Sequence, residues 1–123
     1  MKTTTEHNQR IAKMTFASVY PHYITKITKK GRTIEELHQV IMWLTGYDES
    51  EIKRLILEKA TFESFFRDAE LNPNAHLIKG MICGYRIEEI EDKFEVYKKS
   101  RRMEKLIDEL ARGRKMEKIM RAG

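Results

Sequence analysis

The sequence predicts a mostly α-helical single domain of about six or seven helices. Three observations support this prediction: apolar residues recur at helical spacing, helix N-cap patterns precede those stretches, and the connections between them are short. A length of 123 residues suits one domain, and six Gly with two Pro leave no low-complexity linker. The first ten residues are polar. We therefore expect a flexible tail over residues 1–10 and one helical domain over residues 11–123.

The first helical pattern contains Pro21. Proline fits the first turn of a helix, so the helix is predicted to begin near Tyr20 or to be kinked there. Gly31 follows two lysines and is a typical helix stop.

Capping boxes predict the next two helices. Thr33 stands three residues before Glu36, and Asp48 stands three residues before Glu51. In each pair the first side chain can accept a hydrogen bond from the backbone of the second, and the carboxylate can reach back. Gly46 should end the first of these helices. A short aromatic helix follows, for which Thr61 is the predicted N-cap.

The region after Asn72–Pro73 allows two interpretations. Proline at a first helical position predicts a helix that carries Leu77 to Ile82 and stops at Gly84. Residues 76–87 could instead be extended, which would make the fold α+β. A long helix is then predicted from about Asp92 to Arg112, followed by one or two helical turns near Ile119.

Charge is segregated along the chain, whose formal net charge is +5. Residues 1–32 carry net +6, residues 33–92 net −7 and residues 93–123 net +6. One hypothesis is that the basic ends pair with the acidic middle within the fold; the other is a surface for a protein or nucleic-acid partner. For the second, we expect the C-terminal helix to supply the polyanion-binding cations, among them Lys98, Arg101, Arg102, Arg114 and Lys115.

Several classes of function lack their sequence signals. The one cysteine, Cys83, cannot form an intrachain disulfide, which is typical of a cytoplasmic protein. No stretch of about 20 apolar residues predicts a membrane span, and no secretory signal is recognisable. The histidines do not have helical zinc-site spacing, and no phosphate-binding glycine motif occurs, so neither a metal nor a cofactor is expected.

Cys83, with Arg86 three residues on, is the clearest candidate for chemistry, because a guanidinium can activate a thiol. An enzyme hypothesis places Tyr20, His22, Cys83, Tyr85 and Arg86 around one pocket, and Asn72 is a further candidate pocket residue. The structural alternative is that Cys83 packs as a small apolar residue, His22 is a packing histidine and Asn72 is a cap. Tyr47 and Tyr85 follow glycines in predicted turns and should be exposed.

Motifs along nearly the whole chain resemble the bacterial family catalogued as domain of unknown function 2200. They are Arg10–Tyr23, Lys30–Thr33, Trp43–Tyr47, Leu71–Asn74, Ile82–Arg86, Glu88–Asp92 and Lys105–Gly113. The resemblance implies a small cytoplasmic bacterial protein and implies no reaction. The function therefore stays open between three hypotheses. We favour a non-enzymatic binding or interaction module, and the alternatives are a small enzyme and a structural homo-oligomer.

Overall fold

The computed structural model describes residues 4–121, and within them the chain forms seven α-helices. These are α1 (Thr4–Lys13), α2 (Phe16–Thr28), α3 (Ile34–Thr45), α4 (Glu49–Leu57), α5 (Phe62–Arg67), α6 (Glu95–Ala111) and α7 (Met116–Ile119). Between α5 and α6 the chain forms two short 3-10 helices, Pro73–Leu77 and Ile87–Glu89, and a hairpin of strands β1 (Met81–Ile82) and β2 (Tyr85–Arg86). The prediction of a mostly α-helical domain is confirmed.

Helix α6 is the centre of the fold and contacts α1, α2, α3, α5 and α7. Its sequence places an apolar residue on one stripe every three or four positions, which is the spacing that one helix face requires. The buried members of that stripe are Tyr97, Met103, Leu106, Ile107 and Leu110. Because five other helices pack around α6, its polar residues can reach solvent only along the seams between neighbours.

Both predicted capping boxes are present. Thr33 accepts a hydrogen bond from the backbone N–H of Glu36, whose carboxylate accepts from the N–H of Thr33. Asp48 and Glu51 form the same reciprocal pair at the start of α4. Gly46 ends α3 in the left-handed conformation, with φ 76°, that glycine adopts readily.

Helix α2 runs through Pro21, so the predicted start near Tyr20 is wrong by four residues and the alternative of a helix that continues past Pro21 is the correct one. Thr15 caps it, and Phe16 is its first residue, so Pro21 lies inside the helix. The reason is tertiary: Thr15 forms an isolated antiparallel bridge with Thr61, and the N–H of Phe16 donates to the Ala60 carbonyl at 2.9 Å. This bridge fixes the start of α2 beside the start of α5.

The expectation of a flexible tail over residues 1–10 is corrected for the part of that segment that the structure describes. Residues 4–10 belong to α1, which packs against α5 and α6, and residues 1–3 lie outside the described chain. Ile11 is buried, and the Asn8 side chain accepts a hydrogen bond from the Tyr97 N–H at 2.9 Å. This polar segment forms a helix because the few side chains that face inward contact α6. Amino-acid composition alone does not show such a contact.

The predicted helix over Leu77–Ile82 is also wrong. Ile82 pairs with Tyr85 in the hairpin, and both intervening residues have positive φ, 52° at Cys83 and 84° at Gly84. Two consecutive positive φ values are what a two-residue hairpin turn with primed geometry requires. The extended alternative for residues 76–87 therefore describes the hairpin correctly, although the sheet is too small to change the fold class.

Tyr47 is buried rather than exposed, with only 7% of its surface accessible. Its hydroxyl donates to the Phe65 carbonyl at 2.6 Å, and its ring packs edge-on against the Phe65 ring. No helix in residues 4–121 combines the length and apolar character that crossing a membrane requires.

Candidate functional site

The two basic ends of the chain meet at one seam. Helix α2 from the first +6 segment lies against α6 from the second. Among the described residues, three ion pairs join a basic end to the acidic middle, as one hypothesis expects: Arg32–Glu36, Lys93–Glu91 and Lys98–Asp92. A further pair joins the two basic ends to each other, because Lys26 on α2 lies 3.3 Å from Asp108 on α6. The α2–α6 seam therefore brings the two basic segments side by side.

A basic groove follows the C-terminal half of the seam and encloses about 710 Å3. We use "basic groove" for the surface formed by His22, Thr25, Lys26, Lys29, Lys30, Asp108, Ala111 and Arg112. It carries four cations and one carboxylate, or net +3 with His22 neutral. Lys26 lies in the last turn of α2, and Lys29 and Lys30 follow in the turn after the helix ends at Thr28.

Asp108 holds two of these cations. Its two carboxylate oxygens lie 3.3 Å from Lys26 Nζ and 2.9 Å from Arg112 Nε. The Asp108 side chain is 15% exposed, whereas the Arg112 side chain is 78% exposed. Lys29 and Lys30 are exposed and make no ion pair within residues 4–121. The groove thus offers two unpaired lysines and two cations that share one carboxylate.

A second cavity of about 510 Å3 continues from the groove toward α1. We call it the Arg101 cleft, and its lining consists of Arg10, Ile11, Met14, Val19, His22, Tyr23, Phe62, Ser100, Arg101 and Glu104. Its floor is apolar because Ile11 and Phe62 belong to the core and Val19 packs against it. His22 lines both cavities, so the cleft and the groove adjoin at this residue.

Arg101 is held by contacts on several sides. Its Nη1 donates to Glu104 Oε2 at 2.5 Å and to Cys83 Sγ at 3.5 Å. Its guanidinium carbon lies 5.1 Å from the centre of the Tyr97 ring, within the range of a cation–π contact. A guanidinium fixed in this way presents its remaining donors in one orientation, which favours recognition of a ligand that has acceptors.

Cys83 is exposed, but partial desolvation of its thiol and the nearby Glu104 carboxylate raise the thiol pKa, and the opposing effect of Arg101 is smaller. The same two causes raise the pKa of the Tyr23 phenol. Both groups therefore stay protonated at neutral pH. A thiolate is the nucleophilic form of cysteine, so this environment disfavours nucleophilic chemistry at Cys83.

The predicted pocket residues are not brought together. Cys83 contacts Arg101, and His22 lines the Arg101 cleft. Tyr85 and Arg86 instead line a different cavity, of about 490 Å3, beside the hairpin. Asn72 caps the 3-10 helix Pro73–Leu77 by accepting from the Asn74 N–H at 2.8 Å. The composite pocket of the enzyme hypothesis is not formed, because the hairpin turns Tyr85 and Arg86 away from the side on which Arg101 lies.

The predicted polyanion-binding cations are also dispersed. Lys98 pairs with Asp92 at 2.8 Å, and Arg114 pairs with Glu109 at 3.0 Å. Burial lowers the pKa of Arg102, and Lys115 is exposed just before α7. Of the five, Arg101 alone lines the cleft or the groove, whose other cations come from α1, α2 and the end of α6. The cluster of Lys26, Lys29 and Lys30 around the end of a predicted helix was the signal in the sequence that would have indicated them.

A polar relay between three helices went unpredicted. The Tyr20 hydroxyl lies 2.5 Å from His38 Nε2, and His38 Nδ1 lies 3.1 Å from Glu49 Oε1. With His38 neutral, Nδ1 donates to Glu49 and Nε2 accepts from Tyr20. The three residues come from α2, α3 and α4, so the relay connects these helices. Within residues 4–121 no cluster of three or more acidic, His or Cys side chains is placed to hold a metal ion.

Comparison with known proteins places this chain in a bacterial family. Residues 10–121 match the model of domain of unknown function 2200, described as an uncharacterized protein conserved in bacteria, and the chain belongs to that family. It is also similar to the uncharacterized protein SP1917, whose crystal structure superposes with a TM-score of 0.83. The two sequences are 40% identical over 91% of each chain. No curated protein matches this chain.

Proposed function

We propose that this protein is a non-enzymatic module that binds nucleic acid through the basic groove. The observation that carries the proposal is the meeting of two basic segments along the α2–α6 seam. Together the groove and the Arg101 cleft carry six cations and two carboxylates, net +4, against +5 for the whole chain. Much of the net positive charge of the protein is therefore carried by two adjoining cavities, which attract a polyanion.

The helix dipole does not cancel this charge. The C-terminus of α2 points into the groove region and contributes roughly half a negative charge. The groove side chains supply net +3. The dipole also favours cations at that helix end, where the lysines lie.

The lining of the groove favours nucleic acid over an acidic protein. Apart from its charged groups and His22, the groove is lined by Thr25 and Ala111. Protein–protein interfaces depend on buried aromatic or aliphatic anchors, which these two small residues do not provide. Binding to nucleic acid depends largely on phosphate contacts from Lys and Arg, which the groove does provide. A cytoplasmic location, consistent with the single cysteine, would give the protein access to such a ligand.

The test is the salt dependence of binding to labelled 20-nucleotide single strands, measured by fluorescence anisotropy between 20 and 200 mM salt. For single strands the slope of log K against log salt is about −0.7 per phosphate neutralised, so the two unpaired lysines alone predict a slope of about −1.4. The double variant Lys29→Gln, Lys30→Gln should lose about that much slope. The matched control is Lys53→Gln, Lys79→Gln, which removes the same charge from exposed positions outside both cavities.

Failure to bind any strand at 20 mM salt would overturn the proposal. So would an equal loss of binding in the matched control, because the charge would then act without the groove. Binding to an acidic polypeptide but to no oligonucleotide would identify the groove as a protein interface instead. The homo-oligomer hypothesis stays a prediction, and light scattering tests it separately.

A further inference from the structure

The Arg101 cleft adjoins the basic groove at His22 and differs from it in having apolar as well as charged lining residues. His22 is exposed and stands where the two cavities join. A strand whose phosphates lie against Lys26, Lys29 and Lys30 would pass the mouth of the cleft at His22. What can enter the cleft there is a part of the strand that is not phosphate.

The floor of the cleft suits a flat apolar face. Phe62 and Ile11 are buried beneath it, and Val19 borders it. Met14 is 38% exposed and lines the cleft, so its side chain can contact a ligand there. A volume of about 510 Å3 is within the usual range of roughly 300–1,000 Å3 for small-ligand sites.

The wall of the cleft suits a polar edge. Arg101 offers donors and Glu104 offers acceptors, and the 2.5 Å contact between them holds the two groups side by side. An unpaired base has the matching chemistry: two apolar faces, and an edge that carries a donor beside an acceptor. A paired base cannot use this edge, because its Watson–Crick partner already does.

We propose that the Arg101 cleft receives one unpaired base of the strand whose phosphates lie in the basic groove, so that the protein prefers single-stranded to double-stranded nucleic acid. This inference rests on the proposed nucleic-acid binding. The groove alone would accept the phosphates of either form. Insertion of a base is what makes the surface selective.

The variant-free test compares three probes with the wild-type chain: an eight-nucleotide strand, the same strand with abasic sugars throughout, and the matching duplex. Stacking of one base contributes enough binding energy to predict about tenfold tighter binding of the intact strand than of the abasic strand. The duplex should bind no better than the abasic strand. Fluorescence anisotropy at 50 mM salt measures all three.

The variant Val19→Trp fills the cleft from α2 without changing any groove cation. It should bring binding of the intact strand down to that of the abasic strand while leaving the abasic affinity and its salt slope unchanged. The control Gln39→Trp places the same ring at an exposed position on α3 and should keep the tenfold difference. Far-UV circular dichroism checks that both variants are folded.

Equal wild-type affinity for the intact and abasic strands would overturn the inference, as would duplex binding as tight as that of the intact strand. In both cases the salt-dependent binding would remain, and the proposed function would stand. If no probe binds at low salt, the proposed function fails first and the inference fails with it. All of these outcomes are measured on the wild-type chain, so they hold even where Val19→Trp does not fold.

Discussion

Asp108→Asn should strengthen binding of nucleic acid, although it removes two ion pairs. Asp108 neutralises Lys26 and Arg112, which both line the basic groove. Its neutral isostere keeps the shape of the side chain and releases both cations. The cost in folding free energy should stay within about 1 kcal/mol, because ion pairs with exposed partners contribute little.

The magnitude follows from the number of cations released. Each cation that becomes available for a phosphate of a single strand steepens the log–log salt slope by about 0.7, so two steepen it by up to about 1.4. Between 50 and 200 mM salt, that difference means an additional loss of affinity of about sevenfold compared with wild type. The variant should bind more tightly than wild type at 50 mM and approach it at 200 mM.

Fluorescence anisotropy with the 20-nucleotide strand measures both slopes. The matched control is Asp68→Asn, which removes a carboxylate from an exposed pair with Arg67 and raises the net charge by the same amount. Weaker binding by Asp108→Asn, or an unchanged slope, would refute the assignment of Lys26 and Arg112 to the binding surface. An equal gain in Asp68→Asn would show that net charge alone is responsible.

Three further predictions concern the fold and the thiol. Phe16→Ala should lower the free energy of unfolding, measured in urea, by about 3–5 kcal/mol, because Phe16 is fully buried and stacks on another core ring. The exposed control Leu57→Ala should change this free energy by less than about 0.5 kcal/mol, and similar values for the two variants would contradict this packing. The stability of the fold should decrease as the pH rises above about 10, because burial raises the pKa of Tyr47 to about 12 and also raises that of Tyr23. The unfolded chain then loses these protons at a lower pH than the folded chain does. Alkaline melting curves of Tyr47→Phe should show a shallower decrease than wild type, and an unchanged decrease would contradict the prediction. Cys83 is exposed, yet it should react with iodoacetamide at pH 7.5 more slowly than a free thiol, because partial desolvation and the Glu104 carboxylate raise its pKa. Faster alkylation, measured by mass spectrometry, would contradict this.

Local signals predicted most of the helices correctly. The boxes Thr33–Glu36 and Asp48–Glu51 and the cap at Thr61 all form as their spacing predicts. A cap is a set of hydrogen bonds between residues three positions apart, so its partners can be read along the chain. The mostly α-helical class and the family resemblance could both be established at this level.

The errors in the fold occur where a distant contact outweighs the local pattern. Helix α1 is held by α5 and α6, and α2 begins at Phe16 because Thr15 bridges to Thr61. The hairpin depends on the left-handed backbone of Cys83, which is rare for a side chain with a Cβ and is not part of the usual turn signal.

The candidate site shows the same division. The chain by itself determined two basic ends and their net charges. Only the tertiary structure decided that these ends lie side by side at α2 and α6, with Asp108 between two of their cations and His22 where groove and cleft meet. The physical reason is that charge and helix propensity are local properties of the chain. Which helices become neighbours follows instead from how their apolar faces bury one another around α6.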